Sequence, residues 1–411
     1  MPSDDLVVGL DIGTTKVCAV IGEYDENEKL QIIGVGTSPS SGLRRGVVIN
    51  IERTLKSVAA AVEAAEQMAG REVDTVFTGI AGGHIEGINS RGVVAVTGKG
   101  REITTVDVER VIDAAKAVVI PMDREVLHVI PQEYIVDDQD GIKNPLDMIG
   151  VRLESEVHII TASVTSLQNL VKCVNRSGFR VGDIILESLA SSMAVLAEDE
   201  KELGVLLLDL GGGTTDVLVH LDGAPYFTSV IPVGGGQVTK DLSIMLQTPA
   251  ESAERIKMQA GCCYAPLLED DEQVIIPGVG GRPPLSVERS KLCSIIQPRM
   301  EEIFTMVREQ LKKKRLLDRL GGGVVITGGG ALLPGTVELA QEIFHMAARV
   351  GRPTNFGGLV EEYQRPELST AVGLVLYGSA YSGQAVAEAR AKGRSSGFFR
   401  AIGEWFRNFF E

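Results

Sequence analysis

A chain of 411 residues, 44% apolar and 23% charged, is too long for one small core and predicts a globular protein of two to four subdomains. Its net charge of −15 disfavours nucleic acid, which needs a basic surface, and no apolar run nears the roughly 20 residues that span a bilayer. Five cysteines without a CxxC pair, scattered histidines and a start with two acids and no basic stretch argue against a zinc site and a secretory signal, and for reduced thiols in the cytoplasm.

The first element is Leu6-Val7-Val8-Gly9-Leu10-Asp11-Ile12-Gly13-Thr14-Thr15-Lys16-Val17: an apolar strand, an Asp, a Gly-Thr-Thr turn and a second β-branched strand, hence a hairpin with a glycine turn. A strand over 31–36 follows. Apolar residues then recur at helical spacing among alanines over 51–68, before a strand over 73–80. Residues 81–162 read as an insertion with its own strands, a helix over 105–118, and many Gly, Pro and Asp turn residues. From Ser163 the pattern resumes: a helix, a strand over 181–186 and a helix over 188–198. The opening hairpin then recurs as Leu208-Asp209-Leu210-Gly211-Gly212-Gly213-Thr214-Thr215-Asp216-Val217. This is not the Rossmann fingerprint, whose glycine turn opens a helix. One unusual hairpin used twice predicts two related halves facing each other. A helix over 249–259 and a loop and hairpin region over 262–284 come next. Ser286, a good N-cap residue, is the predicted start of a long helix to Lys314, which Pro298 kinks or splits. A strand over 323–327 runs into Gly328-Gly329-Gly330. Strands and helices alternating in both halves imply an α/β fold.

The chemistry lies in three glycine turns. At Gly13 and at Gly211, Gly212 and Gly213 the backbone can approach a polyphosphate, and successive N–H groups there form an anion nest. Thr14, Thr15, Thr214 and Thr215 add hydroxyl donors, and Lys16 is placed to reach a β-phosphate. Asp11 and Asp209 end their strands beside these turns. A carboxylate there repels bare phosphate, so its task is to hold Mg²⁺, directly or through water. Gly328, Gly329 and Gly330 let backbone lie flat against a nucleoside. Any one such turn reads as a tight hairpin; the matched pair with a third turn points to a nucleotide cleft. Glu254 and Lys257, three apart on a predicted helix, read equally as ribose and adenine ligands or as a surface ion pair worth about 0.2–0.5 kcal/mol.

The tail has a different character. On a helical wheel Phe398, Phe399, Ile402, Trp405, Phe406, Phe409 and Phe410 share an arc of about 140°. Five of the eleven Phe and the single Trp stand here, and aromatics favour the bilayer interface. Residues 385–396, mostly Ala, Gly, Ser and basic, read as a flexible tether that adds positive charge near anionic lipid. The tail therefore reads as an interfacial membrane anchor, the alternative being a helix docked in a groove. One such helix attaches reversibly, and a polymer supplies many copies.

Asp11-Ile12-Gly13-Thr14-Thr15 and Asp209 to Asp216 resemble the two phosphate loops of actin, the heat-shock chaperone ATPases and the sugar kinases; Thr327-Gly328-Gly329-Gly330 resembles their adenosine motif. More narrowly, Gly42-Leu43-Arg44-Arg45-Gly46-Val47-Val48, Gly82-Gly83-His84-Ile85 with Asn89-Ser90-Arg91-Gly92, His128-Val129-Ile130-Pro131-Gln132-Glu133-Tyr134, and Asn144-Pro145 resemble the FtsA family of bacterial cell-division proteins. The resemblance runs from about Leu6 to the C-terminal helix. It implies an actin-like α/β fold of two duplicated halves. Subdomain 1A would comprise 1–81 and 163–188, the inserted 1C 82–162, 2A 189–232 and 308–384, and 2B 233–307, with a flexible linker at 385–396 and the amphipathic helix at 397–411. It implies ATP and Mg²⁺ in the cleft, with at most a slow ATPase. It implies self-assembly into filaments on the cytoplasmic face of the membrane at the septum. The implied partners are the C-terminal tail of tubulin-like FtsZ through 2B, and downstream division proteins and neighbouring copies through 1C. Arg299 matches an arginine of the FtsZ contact; otherwise it is an ordinary solvated arginine. Glu187 matches the Glu or Gln that orients the attacking water in actin and the chaperones; otherwise it is a helix N-terminal Glu that favours the dipole. The sequence departs from the family at Asp147, which stands where Asn-Pro-x-Gly-Met calls for glycine, so the left-handed turn there lacks its usual residue.

Two rival functions share the fold. A sugar or small-acid kinase needs a catalytic base and substrate pocket near the first hairpin, and no motif for either occurs. An actin-like adaptor of another membrane assembly differs in lacking the insertion and the narrower motifs.

Overall fold

The computed structural model describes residues 6–25, 29–97, 99–268, 272–278, 280–281, 283–354, 356–358 and 363–391. β1 (Leu6–Ile12), β2 (Lys16–Tyr24) and β3 (Leu30–Pro39) form an antiparallel meander. The two-residue strands β4 (Leu43–Arg44) and β5 (Val47–Val48), helix α1 (Ile51–Ala69) and strand β6 (Thr75–Ile80) follow. α1 starts where its spacing predicts because Asn50 caps it, Oδ1 accepting the Arg53 N–H at 3.0 Å.

The insertion contains β7 (Glu86–Ala95), α2 (Thr105–Lys116), β8 (Arg124–Val136), β9 (Gln139–Ile142) and β10 (Arg152–Ser163). Its antiparallel sheet has the order β7-β10-β8-β9, and α2 packs on β7 and β10. The left-handed turn is present without glycine: Asp147 takes φ 64°. Asn144 Oδ1 accepts the Leu146 N–H, and Asp147 N–H donates to Ile103 O at 3.0 Å, so the turn is held at both ends.

Then come α3 (Val164–Arg176), β11 (Arg180–Leu186), α4 (Glu187–Val195) and α5 (Glu198–Leu203). The single helix predicted over 188–198 is two, because the backbone is extended at Leu196 and Ala197. β12 (Val205–Leu210), β13 (Thr215–Leu221) and β14 (Ala224–Ile231) repeat the opening meander. α6 (Gly235–Met245), α7 (Ala250–Ala260), the ribbon of β15 (Gln273–Ile276) and β16 (Leu285–Glu288), and α8 (Arg289–Lys313) build the next layer. Ser286 is not an N-cap. It lies in β16 opposite Ile275, and the helix begins three residues later. α8 runs on through Pro298 as one helix of 25 residues. The last elements are β17 (Val324–Thr327), α9 (Thr336–Phe344), β18 (Ala348–Val350), β19 (Gly357–Gly358) and α10 (Ser369–Ala391).

The duplication is visible in the topology. One sheet has the order β11-β6-β1-β2-β3-β19, the other β18-β17-β12-β13-β14. In each, an antiparallel meander is extended in parallel from its first strand, by β6 and then β11 in one and by β17 and then β18 in the other. One apolar core lies on the first sheet and takes in Val205, Leu207, Leu218 and Val325 of the second, and the other lies on the opposite face of the second sheet. α4 and α10 pack on one another, and α10 lies on β1, β2 and β6, in the first core. The sequence boundaries, which put 189–232 and 308–384 together in the second half, therefore need correcting at both helices. The expected flexible linker 385–396 also changes: 385–391 continue α10, and the rest lies outside the described residues. All five cysteines are buried free thiols.

Candidate functional site

Each meander ends its first strand in an Asp and a tight turn closed in the same way. Gly13 N–H donates to Lys16 O at 3.0 Å, and Gly211 N–H donates to Thr214 O at 3.0 Å. The two turns touch. A Cβ on Gly213 would lie 2.4 Å from Thr14 Oγ1, and one on Gly212 would lie 2.4 Å from Thr15 Cγ2, so only glycine lets the halves meet here. Gly46 N–H donates to Thr14 Oγ1 at 3.1 Å, which ties the β4–β5 hairpin to the first turn. Thr15 is exposed. Thr214 and Thr215 are buried and already engaged: Thr214 donates to Asp216 Oδ2 at 3.1 Å and Thr215 to Val233 O at 2.9 Å. The structure thus gives the second pair of hydroxyls a role in shaping the turn rather than facing an anion.

Four carboxylates gather behind the turns. Asp11 is pushed up to about 7, first by burial and then by Asp209, with Lys16 opposing. Burial raises Asp209 too, against the hydroxyls of Ser191 and Thr370. Asp216, which the sequence reading passed over, is pushed up to about 8 by burial and then Asp209. Its Oδ1 is buried without a hydrogen-bond partner among the described residues. Glu187, the first residue of α4, lies against Gly79 and is raised well above its usual range by burial, then by Asp11, Asp216 and Asp209. Mutual repulsion at this density favours a cation. Among the described residues no three metal-binding side chains converge closely enough to hold one alone. The donor set suits a hard ion that keeps water and takes its other ligands from phosphate, as Mg²⁺ does.

Lys16 Nζ donates to Glu367 O at 2.8 Å, in the segment just before α10. The third turn lies directly behind Asp209: Gly328 has φ 78°, and a Cβ there would sit 2.3 Å from Asp209 Oδ1. Gly329 faces open space, and Gly330 packs on Leu210. A further glycine run, Gly234 to Gly236, opens α6, with Gly235 and Gly236 donating to Gly211 O and Gly212 O at 2.9 and 2.8 Å. Lys257 and Glu254 do form an i,i+3 ion pair of 2.8 Å, and they also reach the cleft. Lys257 Nζ donates to Gly235 O at 3.2 Å and to Thr239 Oγ1 at 2.9 Å, while Thr239 Oγ1 donates to Glu254. The run Gly234-Gly235-Gly236 after a strand was the signal available in the sequence for this wall.

Arg299 lies apart from the cleft on α8. It is half-buried: Nε and Nη2 donate to the two oxygens of Asp241 on α6 at 2.7 and 3.2 Å, and Nη1 to Glu302 one turn on along α8. The Asp241 hydrogen bond raises its pKa further. No helix among the described residues is long and apolar enough to cross a membrane. Phe398, Phe399, Ile402, Trp405, Phe406, Phe409 and Phe410 lie outside the described residues.

Comparison with known proteins places this geometry. The family model described as Cell division protein FtsA matches residues 206–373, and that described as SHS2 domain inserted in FTSA matches residues 82–161. The chain is 52% identical over 376 residues to the cell division protein FtsA of Borreliella burgdorferi, covering 91% of each. It is 42% identical over 414 residues to that of Escherichia coli K12, covering 98% of each. Among solved structures it resembles the PilM-PilN type IV pilus biogenesis complex, with TM-score 0.65 at 15% identity over 91% of this chain and 98% of that one. It also resembles MreB5 of Spiroplasma citri bound to ADP, with TM-score 0.56 at 14% identity over 95% of this chain and 100% of that one. At such identities the likeness speaks to the fold, which is actin-like.

Proposed function

The chain belongs to the cell division protein FtsA family, and we propose that it binds ATP with Mg²⁺ between its halves, polymerises, and tethers FtsZ filaments to the cytoplasmic face of the membrane at the septum. The observation that carries the nucleotide reading is the contact of Thr14 and Thr15 with Gly212 and Gly213, which brings Asp11 and Asp209 together at one cleft. That MreB5 of Spiroplasma citri was solved with ADP supports it.

Mg²⁺ there would neutralise phosphate charge as it builds on the transferred group. Asp11 and Asp209 would hold it, with Asp216 taking part through water. The backbone of the two turns would cradle phosphate oxygens, Lys16 would add positive charge, and Thr14 and Thr15 would donate hydroxyls. Gly329 and the Lys257–Glu254 pair would line the nucleoside. Glu187 would position or polarise the attacking water. Its raised proton affinity and crowded surroundings fit slow hydrolysis at most. Subdomain 2B, with Arg299, would bind the FtsZ C-terminal tail, and the insertion would meet downstream division proteins and neighbouring copies. The aromatic tail would lie in the lipid interface, and a filament would multiply its weak hold.

Co-sedimentation with anionic liposomes tests the assembly. The full chain should pellet more with ATP and Mg²⁺ than without, and a chain ending at Ser396 should stay in solution. Equal pelleting of the two chains would remove the tail from the account.

A further inference from the structure

We propose that Ser191 and Thr370 are positioning residues which hold one oxygen of Asp209 and leave the other for the Mg²⁺ of a bound nucleotide. The inference rests on the nucleotide reading above and assigns a task to residues outside it.

Asp209 belongs to the second half, on β12, but the groups that hold it come from the first. Ser191 Oγ, on α4, donates to Asp209 Oδ2 at 2.7 Å, and Thr370 Oγ1, on α10, donates to the same oxygen at 3.1 Å. The two hydroxyls are 3.0 Å apart, and all three residues are buried. Among the described residues Asp209 Oδ1 accepts no such bond; it lies over Gly328. A carboxylate tied twice through one oxygen has a fixed plane, and its second oxygen keeps its lone pairs for a cation. Hydrogen bonds of this kind behind a ligand set its orientation and the affinity of its site.

The segment that carries Thr370 also reaches the first and third turns. Residues 366–370 lead into α10. Pro366 O accepts Gly328 N–H at 3.1 Å and Thr327 Oγ1 at 3.2 Å, so it holds the third turn. Glu367 O accepts Lys16 Nζ at 2.8 Å, so it holds the cation of the first turn. Thr370 holds Asp209. One turn before Ser191 on α4 stands Glu187. Two helices packed together in the first core thus align groups from both halves, and α10 is also the helix that leads toward the C-terminal tail.

The test is a Mg²⁺ titration of fluorescent ATP-analogue binding by the full chain, run also in excess chelator. The variants are Ser191→Ala, Thr370→Val, the pair together, and Thr370→Ser. Thr370→Val keeps the shape and removes the hydroxyl; Thr370→Ser keeps the hydroxyl. The expected result is that the double variant loses about 10-fold or more of the affinity gained on adding Mg²⁺. Metal-free binding should change less than about 2-fold, and Thr370→Ser should titrate like the parent. A double variant with the parent's Mg²⁺ dependence overturns the proposal, and so does an equal loss with and without Mg²⁺, since that marks a packing role. If the double variant does not fold, the contrast of Thr370→Val with Thr370→Ser decides. A parent chain that binds no nucleotide removes the site itself, and this inference with it.

Discussion

Asp209 and Asp216 stand directly opposite each other in the β12–β13 ladder, where the matching pair in β1–β2 is Asp11 and Cys18. The duplicated hairpins are therefore alike in backbone but unlike in charge. The second places two carboxylates where the first places one carboxylate and a thiol that burial pushes up to about 12. Asp216 has no partner for Oδ1 among the described residues, and after burial it is Asp209 and then Asp11 that disfavour its charge.

A pH dependence follows. Asp11 and Asp216 have folded-state pKa values near 7 and 8, above the unfolded value of 3.8. Their protonated forms contribute stability at acid pH, which is lost as pH rises through about 7 to 8. The nucleotide-free protein should melt at lower temperature at pH 9 than at pH 6. Asp216→Asn should flatten that fall, and added Mg²⁺ should reduce it in the parent. Scanning fluorimetry across the range checks this; a parent and variant with parallel pH profiles would remove the carboxylate cluster as the cause.

The contact between the turns makes a second prediction. Gly213→Ala puts a methyl 2.4 Å from Thr14 Oγ1. Overpacking of this kind costs about 1–3 kcal/mol, and here it is relieved by parting the halves. Nucleotide affinity should fall by about 10-fold or more, since about 1.4 kcal/mol corresponds to tenfold. Circular dichroism should be unchanged, because the core residues lie elsewhere. Unaltered affinity in isothermal titration would mean the turns do not jointly bind the ligand.

What was legible in the sequence was local. The two hairpins announce themselves because a glycine turn after an apolar strand and an Asp is rare, and α1 because its apolar residues recur at helical spacing among alanines. What was not legible depends on chain segments far apart. Ser191 and Thr370 are ordinary hydroxyls until folding puts them on Asp209. Ser286 suits an N-cap by type, but pairing with Ile275 satisfies its backbone in a strand instead. α10 reads as an extension of the second half, since it follows β17 and β18 in sequence, yet its apolar surface matches β1 and α4. Asp147 shows the reverse: a residue judged wrong for a left-handed turn adopts it because Asn144, Pro145 and Ile103 supply the hydrogen bonds around it.

That turn carries a third prediction. Asp at φ 64° is tolerated rather than favoured, and among the described residues no hydrogen bond of the Asp147 side chain offsets the strain. Asp147→Gly should stabilise the insertion by about 0.5–1 kcal/mol, the strain relief being partly offset by the greater freedom of glycine in the unfolded chain. Native-state hydrogen exchange of amides in β8 and β10 reads this locally. Slower exchange is expected; faster exchange would mean that the side chain contributes through contacts with solvent or the loop.

Arg299 offers the last. Its guanidinium is held flat by both oxygens of Asp241 and by Glu302, so one edge is fixed to α6 while the side chain stays 29% exposed. An ion pair that exposed contributes about 0–1 kcal/mol to folding. Arg299→Ala should therefore shift the melting temperature by no more than about 2–4 °C. If this arginine carries the FtsZ contact, the same variant should weaken binding of a synthetic FtsZ C-terminal tail peptide by about 10-fold or more, as truncating a charged anchor does. Asp241→Asn leaves one acceptor oxygen for the guanidinium, since the amide NH2 cannot accept the second N–H, and removes half of the neutralising charge, so a carboxylate of the tail peptide should bind the more positive guanidinium at least as well. Loss of peptide binding in Asp241→Asn with retention in Arg299→Ala would place the contact on α6 instead of α8.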